Sequence, residues 1–475
     1  MAAVRRRERS GAGSGWLVGL IALAGGLAAP MATPVAGPLA AAERAADPLA
    51  KVIGEALLNP RVGPEIGAVY AARQNLPLWI ERGHVRPEAK ALVRLIETAD
   101  EQGLQPSAYA PQTLRAAIAE AAGGETDALL RAELALSAAA AAYGADLHTP
   151  ATAADLAYLD PSLPTAPRTR RAALDLLSRA PSLAKGLAEL RRMSPVYERL
   201  RAAWAQARER GGADAALLRL NLERARAYPA ELGRRYLWVD VAAQRLDVYE
   251  DGRRVDSMKV VVGRRTEPTP AMAAMVRYAV LRPYWNVPPD LVARNVAPKV
   301  LAQGPSYLER QRMEVLSDWT DQAAPLDPTT IDWAAVAAGR LPLRVRQLPG
   351  RDNMMGQVKF IFPNGFGVYL HDTPLRALFV GDERLGSAGC VRLEDAPRLA
   401  RRLLGEATLS TKSAAGEPET RVDLSEPIPV YIAYFTVAPE AAGHVARRPD
   451  IYGRDAAVSA ALEPHGGGAT VLAAR

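Results

Sequence analysis

Cys390 is the one cysteine in 475 residues, and the chain around it reads Ser387-Ala388-Gly389-Cys390-Val391-Arg392. Upstream stands His371, with fifteen residues between it and Ser387. A thiol reacts as its thiolate and is mostly protonated at neutral pH, so a nucleophilic cysteine needs a base. Imidazole titrates in the right range for that task. Small residues at 387–389 permit a tight turn that presents the sulfur, and Gly389 lets a substrate carbonyl approach the backbone. The amides of Gly389 and Cys390 would then form an oxyanion hole. Arg384 and Arg392 add positive potential, which favours a thiolate and can pair with a substrate carboxylate. A backbone carbonyl is the first choice for the group that orients His371. The Asp372 carboxylate is the second, because adjacent side chains on a strand point to opposite faces.

Other chemistries are disfavoured. A single cysteine excludes an internal disulfide. The remaining histidines, His84, His148, His444 and His465, lack ligand-like spacing and read as surface or capping residues. With no HExxH, no paired cysteines and no Gly-rich phosphate loop, neither a metal nor a nucleotide cofactor is expected. The formal net charge of +7 comes from arginines scattered among Ala and Leu. That pattern describes solvated helix faces, so no nucleic-acid partner is expected, while attraction to an anionic polymer is compatible with it. A papain-like peptidase has its Cys before its His, the reverse of the order here.

The elements that must position these groups change type along the chain. Residues 1–42 have a basic start (Arg5, Arg6, Arg7, Arg9), an apolar run from Trp16 to Ala29 and an A-x-A site at Ala40-Ala41-Ala42, the layout of a signal peptide. Export to the periplasm follows from that reading. Residues 43–232 carry apolar residues at helical spacing, punctuated by Pro and Gly, and read as a helical scaffold. From Tyr236 the texture becomes β: Tyr236–Val241, Arg245–Glu250 and Val255–Gly263, with Asp251-Gly252 as a hairpin turn. Val276–Leu281 and Val430–Val437 read as further strands. Gln357–Phe362 and Gly367–Leu370, joined through Asn364-Gly365, read as a second hairpin that places His371 at a strand end. Residues 233–438 are therefore expected to form a mainly-β domain, interrupted at 288–350 by an insertion with helices at Leu291–Leu301 and Ile331–Ala338. An insertion of this length suits a lid. Residues 439–475 are rich in Ala and Gly and are expected to be a loosely ordered tail. The fold class is thus multidomain α+β, an all-α scaffold followed by a mainly-β domain with a helical insertion.

The ordered pattern of His371, fifteen residues and then Ser-x-Gly-Cys-Val-Arg resembles the catalytic motif of the L,D-transpeptidase (YkuD-type) family. Trp285-Asn286-Val287-Pro288-Pro289 looks like the start of the substrate-capping insert of that family's long periplasmic branch. Pro77-Leu78-Trp79 and the stretch from Ala99 to Tyr109 resemble its helical scaffold. The resemblance implies that Cys390 is acylated, that His371 is its base and that Arg392 binds substrate. It also implies that Tyr369 lies near the acyl site and that Trp285 lines the pocket beneath the lid. Ser387 and Arg384 are carried as substrate-binding candidates beside them. Many members have a second His where this chain has Ala388, which leaves His371 as the base. No peptidoglycan-binding repeat module is evident. The implied substrates are peptidoglycan tetrapeptide stems, the implied inhibitors carbapenems, and the acyl acceptor a stem amine in a 3-3 crosslink or an amine of a wall-attached outer-membrane protein. A hydrolase using water, or a wall-binding scaffold without catalysis, are the alternatives.

Overall fold

The computed structural model describes residues 47–59, 62–152, 156–164, 166, 168–414, 416–439 and 445–462. The expected leader at 1–42, His444 and His465 lie outside the described residues. Among the described residues, no helix is long and apolar enough to cross a membrane.

The N-terminal part is helical, as its 3.6-residue apolar spacing requires. Its longest helix, Thr126–His148, is Ala-rich and buries residues on most of its circumference, including Leu129, Ala132, Leu136 and Tyr143. A helix apolar all round belongs in the middle of a bundle. Its buried Glu133 is satisfied, accepting from the amide of Trp79 at 2.9 Å and from Tyr70 Oη at 2.5 Å.

The β part is a ten-stranded sheet that closes on itself. Closure occurs because Val358–Ile361 pairs antiparallel with both Leu370–His371 and Met272–Leu281. The expected Asp-Gly hairpin is present between Arg245–Glu250 and Arg253–Gly263. Asp251 and Gly252 have φ of 48° and 74°, the left-handed pair that suits the twist of flanking strands. Arg235–Asp240 shows why one strand reads as continuously apolar. Leu237 and Val239 enter the barrel interior, whereas Tyr236 and Trp238 join the core of the helical scaffold. Both faces are covered, so alternation disappears from the burial pattern.

Three expectations change. The second hairpin has only Leu370–His371 as its return strand; Asn364 organises the residues before it by bonding the carbonyls of Phe362 and Val368 and the amides of Phe366 and Val368. The insertion contains the expected helices and also a four-stranded sheet built on Trp285–Val287, Met313–Leu316, Pro325–Leu326 and Arg344–Gln347. It has its own core, including Val292, Val300, Trp333 and Val345. Those strands are two to four residues long, too short to leave a period-2 signal. Finally, residues 445–462 are structured rather than a loose tail. Val445–Arg447 pairs with Val437–Pro439, and helix Asp455–Leu462 is tied to the scaffold by an Arg224–Asp455 ion pair of 2.6 Å.

Candidate active site

One face of the sheet assembles the site. Lys359 pairs with His371, His371 with Arg392, and Arg392 with Val261, so these four residues form one row across four strands. Residues paired across a ladder share a face, and the next residue along each strand takes the opposite one. Accordingly Phe360, Leu370, Val391 and Val260 point into the barrel core. Cys390 stands two residues before Arg392 and therefore on the face of His371, diagonal to it.

His371 is fully buried, and its Nδ1 lies 2.5 Å from the backbone carbonyl of Asp372. A carbonyl can only accept, so Nδ1 carries the proton and Nε2 keeps its lone pair. This is the orienting carbonyl expected from sequence. The Asp372 carboxylate is committed elsewhere, accepting from Arg376 at 2.7 Å and from the Gln357 amide at 2.9 Å. Burial, with Arg392 and then Lys359 opposing it as like charges, pushes the His371 pKa down to about 3, despite a favourable contribution from the Asp372 carbonyl. The ring is neutral at physiological pH.

Cys390 is half-buried, and its Sγ donates to the carbonyl of Gly367 at 3.5 Å. Desolvation raises the thiol pKa; the Tyr369 backbone and the Arg392 charge act in the other direction. The resting pair is therefore a neutral thiol and a neutral imidazole, not an ion pair.

The turn before the sulfur is held from inside. Gly389 has φ of 104°, a region closed to other residues, although an added Cβ would meet nothing nearer than Pro268 O at 4.0 Å. Conformation, not space, requires glycine there. Ser387 is buried; its Oγ donates to the Cys390 carbonyl at 2.5 Å and accepts from the Gly389 amide at 3.2 Å. Ser387 thus braces the turn, and the Gly389 amide, expected from sequence to face an oxyanion, is bonded to the Ser387 hydroxyl here. The Cys390 amide stays available. Thr269 completes the support: its Oγ1 donates to the Gly389 carbonyl at 2.9 Å and accepts from the Gly263 amide at 2.8 Å. No sequence signal pointed to Thr269, one of two threonines in a Pro-rich turn.

Arg384, a substrate-binding candidate from sequence, has its guanidinium bonded within the protein. Its guanidinium donates to the carbonyls of Val260, Gly381, Asp382 and Gln244, so it fixes the loop leading to the turn. Arg392 differs. Its electrostatic neighbours are Cys390 and Arg264, with no carboxylate among them, and its Nε is buried without a partner. Tyr369 lies close enough to Cys390 for the sulfur's charge to raise its phenol pKa, after burial. Trp285 sits in the insertion's sheet opposite Gln347 and packs on that subdomain's core. Among the described residues, no group of His, Cys, Asp and Glu could hold a metal ion. A separate cleft of about 640 Å³ lies in the scaffold between His84, Lys90, Arg94 and Arg115 and is lined by no Ser, Thr or Cys.

The buried histidines predict an acid limb of stability. His148, buried with Nε2 on the Leu190 carbonyl at 2.8 Å, has its pKa lowered by desolvation to about 4. A base whose folded pKa is depressed adds stability above its unfolded value of 6.5, and that stability is lost as pH falls towards the folded value. Each such histidine should cost about 1.4 kcal/mol per pH unit in that window. Urea midpoints should therefore fall from pH 6.5 to 4.5, with a shallower slope for His148→Asn. An unaltered slope would show that His148 does not titrate on unfolding.

The chain matches two family models, one for an L,D-transpeptidase catalytic domain (YkuD) over residues 234–432 and one for a Scaffold domain over residues 64–203. A Haemophilus influenzae protein described as a candidate L,D-transpeptidase is 34% identical over 229 residues, covering 47% of this chain and 45% of that protein. The chain thus spans less than half the length of that relative. Solved structures that resemble it include an L,D-transpeptidase from Mycobacterium smegmatis (15% identity, 42% of this chain, 58% of that one, TM-score 0.21). Another is an L,D-transpeptidase in complex with imipenem (13% identity, 42% and 58%, TM-score 0.21). The chain therefore carries a YkuD-type L,D-transpeptidase catalytic domain behind a Scaffold domain.

Proposed function

We propose that the protein is a peptidoglycan L,D-transpeptidase with Cys390 as nucleophile and His371 as base. The observation that supports this best is the shared face of Cys390, His371 and Arg392, with Nε2 of a neutral imidazole left free by the Asp372 carbonyl. Because the resting pair is neutral, the proton leaves sulfur as sulfur attacks. Cys390 Sγ bonds to the carbonyl carbon of the third residue of a tetrapeptide stem while His371 takes the thiol proton. The Cys390 amide faces the oxyanion, and Arg392 holds a stem carboxylate and steadies the developing thiolate. On collapse, the bond to the fourth residue breaks, and its nitrogen leaves with the proton from His371. The thioester is then attacked by an acceptor amine, whose proton passes to His371 and on to the departing sulfur.

Tyr369 borders the acyl site in this reading, and the insertion at 288–350, with Trp285 at its root, caps the bound stem. The domain limits inferred from sequence, export to the periplasm and carbapenem inhibition belong to the same proposal. Its test is mass spectrometry of products formed by the purified protein from tetrapeptide muropeptides. A dimer lacking one terminal D-residue supports transfer to an amine. Monomeric tripeptide alone would replace transpeptidation by hydrolysis through the same thioester, and unchanged muropeptides would reject both.

A further inference from the structure

The turn that presents Cys390 is held by a part of the chain beyond the matched catalytic domain. Thr269 grips the Gly389 carbonyl from the segment 264–269, and that segment is itself clamped from outside. Tyr452 Oη donates to the Gly263 carbonyl at 2.7 Å and accepts from the Thr269 amide at 3.2 Å. Arg454 donates to the Thr269 carbonyl at 3.2 Å, and Arg265 donates to the Ile451 carbonyl at 2.9 Å. The Tyr452 ring stacks on Tyr434, with centroids 5.7 Å apart, and the Tyr452 amide donates to Tyr434 Oη at 3.0 Å. Tyr434 in turn donates to Asp450, whose carboxylate also accepts the amides of Arg454 and Asp455. Residues 450–455 are thereby a rigid strap. From the other side, Glu267 pairs with Arg264 at 3.0 Å and with Arg294 of the insertion at 2.8 Å, and Arg264 donates its amide to the Ser387 carbonyl.

We infer that Tyr452 is a positioning residue for the nucleophile, acting through Thr269 and Gly389 on the orientation of Cys390 and of its amide. The inference rests on Cys390 being the nucleophile. The reasoning is geometric. Gly389 holds a backbone conformation with few alternatives, and its carbonyl is anchored by a single hydroxyl, Thr269 Oγ1. That hydroxyl keeps its place only while the 263–269 turn stays closed, and the Tyr452 hydroxyl closes it by bridging both ends. A nucleophile displaced by about 1 Å loses much of its rate without any loss of substrate contacts. The strap follows residue 432, where the family match ends, so a chain cut there would keep every motif residue and lose this support.

Tyr452→Phe tests the idea, because it keeps the stacked ring and removes only the hydroxyl. With disaccharide-tetrapeptide as donor, kcat for acylation should fall about tenfold with KM unchanged. Thr269→Val should fall further, and Thr269→Ser, which restores the hydroxyl, should stay near wild type. In the double variant Tyr452→Phe/Thr269→Val, the losses should not multiply, since both act through one contact chain. Wild-type kcat in Tyr452→Phe overturns the inference, as do losses that multiply, and should Thr269→Val not fold, the Tyr452→Phe result still decides. Cys390→Ser run alongside separates the two levels: a serine variant that still acylates removes the proposed nucleophile itself, whereas an inactive serine variant beside a fully active Tyr452→Phe removes only the strap's role.

Discussion

Cys390→Ser should give no acyl-enzyme with imipenem on intact-mass analysis, while its melting temperature stays near that of the wild type. Stability is spared because Sγ makes one 3.5 Å contact, to Gly367 O, and the turn is held by Ser387 and Thr269 rather than by the sulfur. Reactivity is lost because an alcohol is a far weaker acid than a thiol and the available base is feeble. A ring with a pKa of about 3 deprotonates a thiol only as the carbonyl is attacked, and it falls much further short of an alcohol. His371→Ala should lower acylation by about 10²–10⁴-fold, the usual worth of a positioned general base. The neutral resting pair has a second signature. Iodoacetamide alkylation of the wild type should keep rising above pH 9, because burial holds the thiol above its ordinary value of 9.0. A plateau reached below neutral pH would instead indicate a preformed thiolate-imidazolium pair and contradict the electrostatics of this site. An imipenem adduct on Cys390→Ser would end the assignment of the nucleophile.

The difference between what the sequence disclosed and what it hid follows from the range of the interactions. The Asp251-Gly252 hairpin, the strand ending at His371 and the turn at Gly389 are local: each depends on backbone preferences that a few residues declare. The clamps are not local. Thr269 meets Gly389 across 120 positions, and Tyr452 meets Gly263 across 189. No period or motif marks such contacts, and a Pro-rich turn followed much later by an Ala-rich end reads as connection and tail. Arg384 and Ser387 show another side of this. Their nearness to Cys390 in sequence suggests substrate contact, and what it could not show is that both also brace the loop, through the carbonyls of Val260, Gly381, Asp382, Gln244 and Cys390. The insertion's sheet escaped notice because strands of two to four residues cannot display alternation.

Arg392→Ala should impair catalysis without weakening the fold. The guanidinium is half-buried, faces Cys390 and Arg264, and has an Nε with no acceptor, so removing it relieves a desolvated charge instead of breaking a pair. Its field lowers the His371 pKa and opposes the rise of the Cys390 pKa. With the charge gone, His371 should become easier to protonate and the thiol harder to ionise, so the alkylation profile should move to higher pH. A charged hydrogen bond to a stem carboxylate is worth about 1.5–3 kcal/mol, so KM for the tetrapeptide donor should also rise, by about tenfold or more. Arg392→Lys separates the two roles. An ammonium restores the charge and should return the alkylation profile towards wild type. It lacks the planar fork that grips a carboxylate at two points, so KM should stay high. If Arg392→Ala instead leaves KM and the alkylation profile both unchanged, the residue serves the fold alone, and the substrate's carboxylate must be met by another cation, of which Arg264, within electrostatic reach of Arg392, is the first to substitute.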